Sequence, residues 1–198
     1  MAVNTYSVSS DGNDRLSANF TVREFASRDG ADTVLIDEEL VDVLQNIRDY
    51  FGVPVTINSA YRSPSHNRAV GGASNSRHTT GQAADIVVSG VEPEEVAQYA
   101  EYILSDRGGI GLYDTFVHVD VRDNRSRWEN FGTEIVVNGF PGFSLSAEKD
   151  KVKSPADAVD VLHKKGVITN PDIWYMGTWT DSDFKELIIR MADYIKNR

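Results

Sequence analysis

The decapeptide Ser76-Arg77-His78-Thr79-Thr80-Gly81-Gln82-Ala83-Ala84-Asp85 runs directly into the apolar Ile86-Val87-Val88. On one straight helix His78 and Asp85, seven residues apart, would be separated by about 10 Å of rise, whereas zinc holds its ligands at about 2 Å. If the two share a metal, the chain folds back between them. Gly81 supplies the point of reversal, and the Ala and Ile-Val-Val run after it delivers Asp85 at the start of a buried strand. A third ligand is still required.

Gly111-Leu112-Tyr113-Asp114-Thr115-Phe116-Val117-His118-Val119-Asp120-Val121-Arg122 contains the candidate. From Phe116 onward apolar and polar residues mostly alternate, the period-two signature of a half-buried strand. His118, Asp120 and Arg122 then share one face, and Val117, Val119 and Val121 the other. A strand face with His, Asp and Arg, opposed by a His/Asp pair from another segment, makes a zinc site. Two histidines and one carboxylate leave a fourth position for water, as a catalytic zinc requires.

These segments resemble a known family. Ser76-x-His78-x-x-Gly81-x-Ala83-x-Asp85, the Val117-His118-Val119-Asp120 strand and the upstream Ser59-Ala60-Tyr61-Arg62-Ser63 are similar to the zinc D-alanyl-D-alanine peptidases, the group of VanY-like carboxypeptidases and phage endolysins. The resemblance covers roughly Phe20 to Phe131. It implies a Zn2+ cofactor held by His78, Asp85 and His118, and a peptidoglycan stem peptide as substrate, cut as a D-Ala-D-Ala carboxypeptidase or as an endopeptidase. Many members carry an acidic general base three positions before the last zinc histidine, where this chain has Thr115. Asp120, sharing the face of His118, is the preferred acid/base, and Asp114 the second choice. Thr115 also keeps open an alternative from another class, a catalytically silent zinc protein that binds the cell wall.

Arg62 suits a substrate carboxylate, which a guanidinium grips with two parallel hydrogen bonds; pairing with a structural Asp or Glu is the other possibility, and the resemblance favours the first. Ser76 is expected to touch substrate or to hold a metal ligand, or else to make a local turn contact. Tyr113 is expected to line the cleft or to pack at its edge.

Composition narrows the partners. The chain has 198 residues, 20 basic against 30 acidic, a net charge of −10 and no cysteine. Such acidity argues against nucleic acid, which is bound through clustered Lys and Arg. Without cysteine, zinc can be held only by His, Asp and Glu. No stretch approaches the ~18 apolar residues of a membrane span, so no membrane insertion is expected, and the protein is expected to be a monomer. Met1 to Arg15 has neither an apolar run nor a basic opening. The expectation is synthesis without a signal peptide, as a cytoplasmic product that reaches the wall by phage-type release, or an extracellular protein whose leader was removed.

The expected fold class is α+β, with helices packed on a mainly antiparallel sheet whose polar face forms the zinc cleft. A zinc peptidase domain is expected over residues 1–145 and a small helical module over 146–198. Met1 to Asn19, polar throughout, is expected to carry little fixed structure. Thr21 to Glu24 reads as a capping box flanked by Phe20 and Phe25, and Asp37 as the N-cap of a helix ending at Gly52. Pro54 to Asn58 reads as a strand, Pro64 to Asn67 as a loop, and Pro93 to Leu104 as a helix. Ser154-Pro155 and Asp181 open the two helices of the tail.

Overall fold

A computed structural model of the chain describes residues 2–143, together with positions 167 and 180. The chain divides into two compact units, Met1–Phe143 and Ser144–Arg198, and every element below belongs to the first. The tail helices expected from Ser154 lie outside the described residues.

A six-stranded sheet carries the site. Its strands are β3 (Val55–Ser59), β4 (Ala83–Val88), β5 (Gly109–Tyr113), β6 (Val117–Asp120), β7 (Ser126–Asn130) and β8 (Glu134–Val136), in the order β3-β4-β6-β5-β7-β8. All neighbours pair antiparallel except β5 and β7, which run parallel. This is the α+β class, with a mainly antiparallel sheet.

Two long helices cover one face of it. In α2 (Glu38–Phe51) the Asp37 carboxylate caps the Glu39 amide at 3.0 Å, and Gly52 closes the helix in the left-handed conformation. Leu40, Leu44 and Ile47 form its buried stripe. Pro93 opens α4 (Pro93–Leu104), which buries Val96, Ala100 and Leu104. Against these stripes lie Ala84, Ile86, Ile110, Val117 and Val119, all essentially inaccessible. Strand alternation therefore turns Asp85, His118 and Asp120 to the opposite face.

Three local readings are corrected. The polar N-terminus is ordered: β1 (Val3–Ser7) pairs antiparallel with β2 (Thr33–Asp37), and a one-turn helix, α1 (Val8–Asp11), follows. Asp32 holds that turn, accepting from Ser7 Oγ at 2.7 Å and from the Ser9 amide at 2.8 Å. Pro64 to Asn67 is not a loop but the start of α3 (Pro64–Ala69), whose N-cap Ser63 accepts from the His66 amide at 3.0 Å. β7 was not expected. Its Arg127 points into the covered face, where the Glu101 carboxylate on α4 accepts from Nε at 2.6 Å and the Gly108 carbonyl from Nη1 at 2.6 Å.

Candidate metal centre

Three side chains meet at the floor of a cleft on the uncovered face. His78 arrives on the 3-10 turn Arg77–Thr80, Asp85 on β4, and His118 on β6 directly opposite Asp85. Between the first two the chain reverses at Gly81, with φ +75°, where a Cβ would stand 2.4 Å from the carbonyl oxygen of Leu35. Glycine alone meets both the backbone angle and the close approach.

The donor atoms form a nearly equilateral triangle. His78 Nε2 lies 3.3 Å from His118 Nδ1 and 3.3 Å from Asp85 Oδ1, and His118 Nδ1 lies 2.9 Å from the same oxygen. Ligands placed tetrahedrally at about 2.0–2.1 Å from zinc are about 3.3 Å apart, so the spacing suits that ion with one corner open. The hydrogen bonds behind the triangle orient the rings. His78 Nδ1 donates to the Ala60 carbonyl at 2.7 Å, and His118 Nε2 donates to Asp120 Oδ2 at 3.1 Å. Both histidines then turn a lone pair towards the carboxylate oxygen, and three acceptors so placed repel one another unless a cation lies among them.

Titration behaviour follows from this crowding. Burial works to lower the pKa of His118, but its hydrogen bonds to Asp120 and Asp85 outweigh burial and push it up to about 9. At His78 burial prevails over the help of Asp85, and the pKa falls. Burial works to raise both Asp85 and Asp120; hydrogen bonds from His118 and His78 at the first, and from His118 and Arg122 at the second, hold each well below the usual carboxylate range. Without a metal, a proton on His118 takes the place of the cation.

One register row builds the floor. Ser59, Asp85, His118, Gly111, Trp128 and Val136 stand side by side across all six strands. A Cβ on Gly111 would lie 2.4 Å from the Trp128 indole, so the glycine leaves the space that lets Trp128 lie over β5 and reach His118, at 5.1 Å between ring centres. In the next row Gly109 leaves room for the Asp120 carboxylate, 2.2 Å from where a Cβ would be.

The candidate residues fall into two groups. Arg62, Ser76 and Tyr113 line the cleft, whose volume is about 660 Å³. Arg62 is committed to the site itself, donating from Nη2 to Asp85 Oδ2 at 2.5 Å and from Nε to Ser59 Oγ at 2.8 Å. Arg62 thus pairs with a carboxylate of the chain, the candidate metal ligand Asp85. The Ser76 side chain makes no capping bond. Tyr113 stacks on Phe116 with ring centres 4.2 Å apart and accepts a hydrogen bond from Trp128 Nε1 at 3.2 Å.

Neither acid/base candidate faces the cleft. Asp120 is 0% exposed, and its oxygens accept from His118 Nε2, the Gly109 and Arg122 amides and the Arg122 guanidinium. It lies behind His118 and does not line the cleft. Asp114 is exposed on the β5–β6 turn and borders, with Thr115, a separate hollow of about 310 Å³. Strand alternation gives the face of a residue but not its depth, and depth is what separates Asp120 from the cleft. Two residues had no sequence signal as site components: Ala60, buried behind the cleft, whose carbonyl orients His78, and Glu134, which lines the cleft from β8. The pattern Gly109-x-Gly111, opposite Asp120 and His118, was the available signal for a floor that accommodates large side chains.

Residues 16–120, just over half of the chain, match the family model described as Peptidase M15. The chain belongs to the Peptidase M15 family. The matched segment includes His78, Asp85, His118 and Asp120. This M15 chain is also similar to the peptidoglycan L,D-endopeptidase MepK of Escherichia coli K12, at 38% identity over 95 residues, which are 43% of this chain and 50% of the relative. The protein of the same name from Shigella flexneri matches to the same extent. The chain thus spans about half the length of the curated relatives it matches. Among the described residues of this M15 member, no helix is long and apolar enough to cross a membrane.

Proposed function

We propose that this chain is a zinc-dependent peptidase that cleaves the stem peptides of peptidoglycan, as an endopeptidase. The observation that carries the reading is the triangle of His78 Nε2, Asp85 Oδ1 and His118 Nδ1 at the floor of an open cleft. Bound there, zinc supplies an acidified water and polarises the scissile carbonyl. His78, Asp85 and His118 hold the ion. The Ala60 carbonyl and Asp120 fix the two ring tautomers, and Arg62 holds Oδ2 of Asp85 so that Oδ1 faces the histidines. Asp120 is a positioning residue in this account, because its proton traffic is confined to His118 and Arg122. The Tyr113 hydroxyl, which accepts from Trp128, keeps its own hydrogen to donate to a substrate oxygen.

The preference for an internal cut rests on the arginines. Carboxypeptidase action calls for a cation that grips a terminal carboxylate, whereas the two arginines nearest the triangle, Arg62 and Arg122, are already paired with Asp85 and Asp120, and Arg77 donates to Gln82. The names of the relatives, peptidoglycan L,D-endopeptidases, point the same way. Mass spectrometry of defined stem-peptide dimers separates the two: fragments from an internal bond are expected, and loss of a single terminal residue would make the protein a carboxypeptidase instead.

A wall-binding protein without catalysis is the second reading. It is favoured by the position of Asp114 and Asp120, which leaves no carboxylate beside the triangle among the described residues except Asp85 itself. That reading gives zinc-dependent retention on peptidoglycan with no fragments released.

A further inference from the structure

The far end of the cleft has a charge that the zinc chemistry does not use. Glu134 lines the cleft from β8, in the row Tyr113, Asn130, Glu134. It lies beyond residues 16–120, the segment matched to the family. Of the other charged groups of the cleft, Asp85 is paired with Arg62 and the histidines and Arg122 with Asp120, while Arg77 donates to the neutral Gln82 at 3.1 Å. Among the described residues the exposed carboxylate of Glu134 makes no hydrogen bond or ion pair. Its charge is nonetheless felt inside the cleft. The Tyr113 pKa is raised by burial, with Trp128 opposing and the charges of Asp85 and Glu134 adding to the rise.

The sheet gives the separation. β8 lies three strand steps from β6, and Glu134 stands two residues along from the row of His118, so at about 4.8 Å per step and about 3.3 Å per residue its backbone is about 16 Å from that of His118. That corresponds to roughly four to five residues of an extended peptide, at about 3.3 Å each. The side chains of Trp128 and Tyr113, joined by the hydrogen bond from Trp128 Nε1 to the Tyr113 hydroxyl, line the cleft between.

We propose that Glu134 is a specificity residue that binds an ammonium group on the peptide substrate, four to five residues from the bond being cut. The substrate class is then a peptide with a free amine on a side chain. This inference rests on the peptidase reading for the position of the scissile bond, but the recognition itself is measured without turnover.

The test uses the full chain and two peptides of one sequence, one with its side-chain amine free and one with it acetylated. Equilibrium binding is followed by fluorescence anisotropy, and cleavage by mass spectrometry. The free-amine peptide is expected to bind about fivefold more tightly, in line with a partly exposed ion pair. In Glu134→Gln the ratio should fall to about one, and in Glu134→Asp a preference should remain. Equal binding of both peptides by the wild type, binding of neither, or a preference that survives in Glu134→Gln overturns the proposal. A preference without any cleavage supports it while contradicting the peptidase reading, so the two failures are told apart.

Discussion

Replacing Asp120 by asparagine separates a positioning residue from a general base. Four donors converge on this carboxylate: His118 Nε2, two backbone amides and the Arg122 guanidinium. An asparagine turns an NH2 group towards some of them. If it faces His118, Nε2 must become the acceptor, Nδ1 carries the proton, and the lone pair that completes the triangle is lost. Loss of such an orienting partner typically lowers metal affinity 10- to 100-fold, or about 1.4–2.7 kcal/mol. Folding is expected to weaken as well, by about 1–3 kcal/mol, because the buried amide of Gly109 and the Arg122 guanidinium lose their ionised acceptor. Zinc affinity is read by competition with a chromogenic chelator, stability by urea denaturation, and hydrolysis at saturating zinc. Weakened zinc binding, with most of the hydrolysis restored by excess zinc, is the expected result. Unchanged zinc affinity with kcat reduced by about 100-fold or more at every zinc concentration would refute the reasoning and make Asp120 the proton acceptor.

Other outcomes follow from single contacts. Gly111→Ala places a methyl group inside the Trp128 ring and should cost about 1–3 kcal/mol in chemical denaturation, with loss of hydrolysis as the indole is pushed off His118. Glu101→Gln leaves the fully buried Arg127 side chain without its carboxylate and should cost about 3 kcal/mol at pH 7. Glu101 is held below its ordinary pKa because hydrogen bonds from Arg127 and Arg125 outweigh a burial effect that works to raise it. Its contribution is therefore present above the unfolded carboxylate pKa and is lost as pH falls through the folded one, and the acid limb of the stability profile should flatten in the glutamine variant. Zinc binding at pH 7 should release about one proton, since His118, raised to about 9 in the metal-free protein, must become neutral. Calorimetry in buffers of different ionisation enthalpy measures that number, and zero would show that the triangle holds no proton.

The elements with strong local signals were legible: the N-cap at Asp37 and the stop at Gly52, the Pro93 opening of α4, the alternation of β6, and Gly81 as the reversal that brings His78 to Asp85. What escaped depends on partners distant in the chain. β1 is polar, and its pairing with β2 and the anchoring of its turn by Asp32 come from more than 20 residues away. β7 pairs parallel with β5, so no hairpin turn announces it, and its buried Arg127 reads as a surface residue until Glu101 is seen above it. At the site, the residue types gave the triangle but not its support. That Arg62 holds Asp85, and that Asp120 stands behind His118, is decided by side-chain depth, which alternation does not encode.

Hydrolysis of purified peptidoglycan stem peptides, before and after removal of metal, tests the central claim most directly. The account predicts cleavage by the zinc-loaded protein, its loss on dialysis against chelator, its return with one equivalent of zinc, and no return in His118→Ala. Cleavage that persists in the metal-free protein, or none from a protein shown to hold one zinc per chain, would contradict it.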